Sequence, residues 1–167
     1  SIDHHTTINL PNHYPSGIVC ACRDGNIYTI KNGQLLSQVI ELESCPVDLV
    51  RIDKQIYAGC MDNAVHCYHF KGRKQHSLYF EHPIQCMNKL EIARTRERAL
   101  LVALNNGEIR MYSGKQLVHA LNLHQEIMGM TFGTFGREDG ALCISLKSGG
   151  MVVKMLSRSA TTEVSST

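Results

Sequence analysis

The chain has 167 residues, 43% of them hydrophobic and 19% charged, the balance of one ordinary globular domain. Its net charge of +2 is too small to make nucleic acid or an anionic membrane the main partner, and it has no apolar run of about 18 residues to cross a bilayer. Seven cysteines, an odd number set mostly within apolar strand patterns, point to free thiols in a reducing cytosol, and residues 1–5 lack the charged and apolar regions of a signal peptide.

Residues 1–15 are polar and His-rich, punctuated by Pro11 and Pro15. They predict an outer strand over 6–10 and a loop, grouped as a leading piece 1–17. A first blade follows over 18–44: a buried strand 17–22, a turn at Asp24-Gly25, a strand 26–31, a turn at Asn32-Gly33 and an outer strand 34–42. The second blade, 45–82, starts with an inner strand 45–52, where Val47, Leu49 and Arg51 share one face. Its hairpin is 56–60 with 65–70, then comes the basic turn Lys71-Gly72-Arg73-Lys74 and an outer strand 77–80. The third blade, 83–126, has strands 83–90, 99–112 as a hairpin and 117–123, with a basic loop at 94–98. The last blade, 127–158, has a strand 127–132, a loop 133–140 and a hairpin 141–156. Ile144 lies mid-strand there, on one face with Leu142 and Leu146. Residues 159–167 form a flexible tail, and no long helical periodicity occurs.

One unit repeats along this order. Asn105-Asn106-Gly107 ends the apolar run Ala99-Leu100-Leu101-Val102-Ala103-Leu104, and an alternating segment, Glu108-Ile109-Arg110-Met111-Tyr112, follows. Asn and Gly tolerate the positive φ that a tight hairpin needs, so this reads as strand, turn, strand. The unit recurs around Gly25, Asn63 and Gly150, with spacings of 38, 44 and 43 residues. That is the period of propeller blades. The predicted class is all-β, a β-propeller of WD40-like four-stranded blades, with this chain covering three to four of seven. A seven-bladed ring needs about 300 residues at this repeat length. The segment is therefore expected to be a piece of a larger propeller, and compact monomeric scattering from it alone would contradict that.

Candidate chemistry is thin. Zinc ligands would be drawn from Cys60, His66, Cys67 and His69, but close C-x₂-C pairs are absent, and His66 and His69 fall on opposite faces of one strand; no metal is expected. No serine sits in a strand–turn–helix elbow, so no catalytic residues are assigned. Arg94-Thr95-Arg96-Glu97-Arg98 reads as a solvated connection, without the interleaved aromatics of a nucleic-acid site. Ser148-Gly149-Gly150 precedes an alternating strand, not a helix, so it is a hairpin turn and not a phosphate cradle. No cofactor is implied.

Several stretches carry a resemblance. Ala21-Cys22-Arg23-Asp24-Gly25-Asn26-Ile27-Tyr28, Ile40-Glu41-Leu42 with Pro46-Val47, Ala103-Leu104 through Met111-Tyr112, and above all Phe132-Gly133-Thr134-Phe135-Gly136-Arg137-Glu138-Asp139 with Lys147-Ser148-Gly149-Gly150 resemble the propeller of the Bardet–Biedl syndrome 1 family, subunits of the BBSome. The resemblance covers residues 18–158 and departs at 1–15 and 94–98. It implies the later blades of a seven-bladed propeller and a non-catalytic recruitment role. In that family the propeller binds the GTP form of an Arf-like small GTPase, beside other BBSome subunits. That brings the complex to the ciliary membrane to carry membrane-protein cargo. A cytoplasmic location with cilium, basal body and peripheral ciliary membrane would follow. Mapped onto the last blade, the exposed charges Arg137, Glu138, Lys147 and Arg158 are the expected GTPase contacts. The alternative is a generic WD-like adaptor of another coat or ubiquitin-ligase complex. Such repeats would show Gly-His and Trp-Asp dipeptides, whereas this chain has no Trp.

Overall fold

The computed structural model describes residues 5–8, 16–21, 25–31, 34–92, 97–133 and 140–155. They form fifteen strands in four antiparallel meanders. The first sheet is β1 (His5–Ile8), β2 (Ser16–Ala21), β3 (Asn26–Lys31) and β4 (Gln34–Glu41). The second is β5 (Pro46–Ile52), β6 (Gln55–Cys60), β7 (Ala64–His69) and β8 (Lys74–Tyr79). The third is β9 (Ile84–Ile92), β10 (Glu97–Leu104), β11 (Glu108–Ser113) and β12 (Gln116–Asn122). The fourth is β13 (Ile127–Gly133), β14 (Ala141–Leu146) and β15 (Met151–Met155). Among the described residues no helix is long and apolar enough to cross a membrane.

The chain divides into two compact units, residues 1–80 and 81–167. In the first, Ile27 and Ile40 of the first sheet, with Leu42 just past it, pack on Leu49, Ile56, Ala58, Cys60 and Tyr68 of the second. In the second, Leu101, Ala103, Ile109 and Met111 of the third sheet meet Met130, Leu142, Ile144 and Leu146 of the fourth. Each fully buried aliphatic side chain contributes about 1.5–3 kcal/mol through the water it leaves. The alternation of strands explains the choice of faces, since paired residues across a ladder share a side: Leu101 with Met111, and Met130 with Ile144. On β10 the other face is buried too, through Leu100, Val102 and Leu104, which is why that strand reads as an unbroken apolar run. The Asn88 side chain then ties β9 to β13 by donating to the Met130 carbonyl at 2.7 Å.

A second set of bonds repeats with the blades. The turn carbonyls of Gly25, Asn63 and Gly107 accept the N–H groups of Leu42, Phe80 and Leu123, each just past an outer strand, at 2.7, 2.9 and 3.0 Å. The carbonyls of Cys45, Pro83 and Glu126, just before an inner strand, accept those of Met61, Asn105 and Lys147 at 2.9 Å. Among the described residues, each of the four central hairpin turns is thus pinned to a linker beside it. The equivalence corrects the sequence alignment by one residue. Gly25, Asn63, Gly107 and Gly149 have φ of 68°, 60°, 91° and 96°, so the fourth member is Gly149 and not Gly150. Ser-Gly-Gly offers two glycines, and only the backbone shows which one turns.

The leading piece also differs from expectation. β1 pairs with β2 through His5↔Ala21 to Ile8↔Ile18 and runs beside β5. It is therefore the first strand of the first sheet, the place β5 holds in the second, and not an outer strand.

Candidate functional site: the turn-and-linker rim

Among the described residues, the pinned turns carry polar side chains that could act on another molecule. In the second unit, Lys147 follows β14 directly. Its backbone N–H is held by Glu126, and its Nζ lies within 3.4 Å of both Glu126 carboxylate oxygens. The side chain is 64% exposed, so the pair contributes about 0–1 kcal/mol and stays available to a partner. Ser148 Oγ donates to Gln125 Oε1 at 3.5 Å, fastening the same turn to the same linker. Met128 and Met151, 59% and 69% exposed, lie at this end of the fourth sheet. These apolar side chains beside Lys147 were not singled out in the sequence, where β-strand alternation assigns a face but not what covers it.

Of the expected contact residues, Lys147 is on this rim, whereas Arg137, Glu138 and Arg158 lie outside the described residues. The basic loop is shorter than expected: β10 already includes Arg98, which faces Glu91 across the ladder with an N–O distance of 3.4 Å.

The third-sheet turn carries a charged chain. Asn106 Nδ2 and Arg110 Nε donate to the two oxygens of Glu108 at 2.9 and 2.8 Å, and the Glu108 N–H donates back to Asn106 Oδ1 at 3.1 Å. The hydrogen bonds from Asn106 and then Arg110 hold the Glu108 carboxyl below its ordinary range.

The second-sheet turn carries a denser cluster. His66 on β7 is 1% exposed; its Nε2 lies 2.9 Å from Asp62 Oδ2, and its Nδ1 lies 2.7 Å from Ser77 Oγ on the facing strand β8. Asp62 accepts from Nε2–H, and the Ser77 hydroxyl, which can donate or accept, is the partner of Nδ1. Asp62 Oδ1 also takes the Ala64 N–H at 3.2 Å. Cys60 ends β6 on the same face, and ligand atoms of Cys60, Asp62 and His66 all lie within 4.8 Å of one another. Burial, and then Asp62, Cys45 and Glu43, push the Cys60 thiol up to about 12. Cys67 is on the opposite face, opposite Tyr57 and His76 in the ladder, and its residue partner Gln75 takes its S–H. The expectation of no metal considered Cys60 and His66 with Cys67 and His69; the fold instead brings in Asp62, from the turn.

Asp62, His66 and Ser77 have the residue types of a hydrolytic triad, but Ser77 sits mid-strand rather than on a strained turn, and its histidine is sealed from solvent. In the second unit a cavity of about 20 Å³, lined by Leu90, Leu101, Ile109, Met111 and Leu142 among others, has room for about one water and not for a small-molecule substrate.

Four meanders at one period, each turn bonded to its own linker, define a segment of a β-propeller. No protein-family model matches the chain. Over 144 residues it is 33% identical to the BBSome complex member BBS1 of Mus musculus and of Homo sapiens, covering 86% of this chain and 24% of each relative. A crystal structure of BBS1N in complex with ARL6DN, soaked with lead, superposes with a TM-score of 0.84 at 38% identity, over 95% of this chain and 52% of that one. The computationally designed Ika4 protein, at 18% identity and TM-score 0.67, shares the fold over 86% of this chain and 87% of its own. In sequence and in fold the chain is similar to propeller blades of these BBS1 proteins, and it spans about a quarter of the curated relatives' length.

Proposed function

We propose that this segment belongs to a non-catalytic recruitment propeller of the BBSome that binds a GTP-loaded Arf-like small GTPase. The observation that carries the reading is the 38% identity, over 95% of the chain, to a propeller crystallised with ARL6DN. The same similarity favours it over a generic WD-like adaptor of another coat or ubiquitin-ligase complex. On this reading the protein works beside other BBSome subunits, in the cytoplasm and at the cilium, the basal body and peripherally on the ciliary membrane. GTPase binding brings the complex to the membrane and its membrane-protein cargo. Residues 127–158 act as the last blade and dock the GTPase through Lys147, together with Arg137, Glu138 and Arg158. Met128 and Met151 supply apolar contact next to the lysine, since a few buried anchors carry most of an interface's energy. A switch surface formed only with GTP bound gives the nucleotide dependence by selection of that state.

The test uses the complete propeller with a matched GTPase loaded with a GTP analogue or with GDP. GTP-selective binding is expected, and Lys147→Glu with Arg137→Glu should weaken it by about fivefold or more, the equivalent of roughly 1 kcal/mol. Equal or absent binding by a folded propeller removes the recruitment role. Selective binding that ignores both charge reversals removes the assigned residues and leaves the role standing.

A further inference from the structure

The buried turn cluster of the second sheet lies outside the residues assigned to GTPase docking, and its donor set has a chemistry of its own. The geometry points to a transition-metal site in the β6–β7 turn, with Cys60 Sγ, an Asp62 carboxylate oxygen and His66 Nε2 as ligands to a borderline-soft divalent cation such as Zn²⁺.

Three observations converge. The ligand atoms already lie within 4.8 Å of one another, and atoms about 2.0–2.3 Å from a shared tetrahedral ion sit about 3.3–3.8 Å apart, so small side-chain rotations close the set. Two ligands come from a buried rigid hairpin, while the Asp62 side chain is 35% exposed and gives the ion its way in. The outer shell is in place as well. A ligating imidazole commonly donates its other N–H to a fixed oxygen, and Ser77 Oγ stands 2.7 Å from Nδ1. Ligation at Nε2 leaves the ring proton on Nδ1, where the Ser77 hydroxyl accepts it. Cys60 exchanges its S–H for an S–metal bond, and that proton leaves to solvent. Water completes the tetrahedron.

The test titrates Co²⁺ into the full-length protein, purified reduced and free of metal, and follows the thiolate-to-cobalt charge-transfer absorption. The expected result is a saturating band equivalent to one ion, removed by Zn²⁺ and absent in Cys60→Ala. Asp62→Asn keeps a hydrogen-bond acceptor at an exposed position and should weaken the cobalt affinity by about tenfold or more. Zn²⁺ should also raise the melting temperature of the parent and not that of Cys60→Ala. A folded parent with no such band, a band of equal strength in Cys60→Ala, or an unchanged affinity in Asp62→Asn overturns the site and leaves the cluster as a hydrogen-bonded strut.

Discussion

Gly107 shows how sharply a single turn residue is specified. Its φ is 91°, and a Cβ there would lie 2.7 Å from the Gln125 carbonyl oxygen and 2.9 Å from the Gln125 nitrogen. Neither contact can yield without moving the linker that the turn is bonded to. Gly107→Ala is therefore expected to cost about 2–3 kcal/mol or more in chemical denaturation. Gly114, with φ 61° and no atom within 4 Å of its Cβ, suffers the backbone term alone, so Gly114→Ala should cost about 1 kcal/mol. Ile144 is 0% exposed in the core shared by the third and fourth sheets. Ile144→Asp leaves an unpaired charge in that core, and a loss of several kcal/mol is expected by thermal melting, with GTPase binding lost through unfolding of the blade rather than at the interface.

At the scale of an element, the β10–β11 hairpin carries its own pH dependence. Asn106 and Arg110 lower the Glu108 carboxyl from its ordinary value near 4.5. A folded-state pKa below the unfolded one means that the stabilisation is fully present above the unfolded value and fades as pH falls through the folded one. The stability gap between the parent and Asn106→Ala should thus be constant near neutrality and shrink on acidification below about pH 4.5. A gap that does not change with pH would place the effect of Asn106 in turn geometry rather than in the carboxylate. The hairpins themselves were legible in the sequence, because Asn63 and Gly107 answer a backbone demand that few residues meet. Where two glycines stood together, in Ser148-Gly149-Gly150, the pattern chose the wrong one by a residue. β1 was misplaced because a short polar strand rich in His and Thr carries no mark of its position within a sheet. The Cys60–Asp62–His66 cluster was invisible for a different reason. Its ligands are spaced by a turn whose geometry, not its composition, folds the carboxylate back onto the ring.

At the scale of the whole molecule, the GTPase reading rests on a surface rather than a pocket. Lys147 is paired with Glu126 at the surface, so its part lies in steering and register more than in affinity. Lys147→Glu is accordingly expected to slow association and to alter its salt dependence, with little change in dissociation, as surface plasmon resonance at two ionic strengths would show. A change confined to dissociation would instead make Lys147 a buried anchor. The turn-to-linker bonds have a kinetic consequence as well. Their partners stand 16–22 residues apart, so each blade closes by a short search that does not wait for distant sequence. At ribosomal rates of about 5–20 residues per second, each such segment emerges within seconds. The meanders can then form one after another on the nascent chain, in the order in which they are translated.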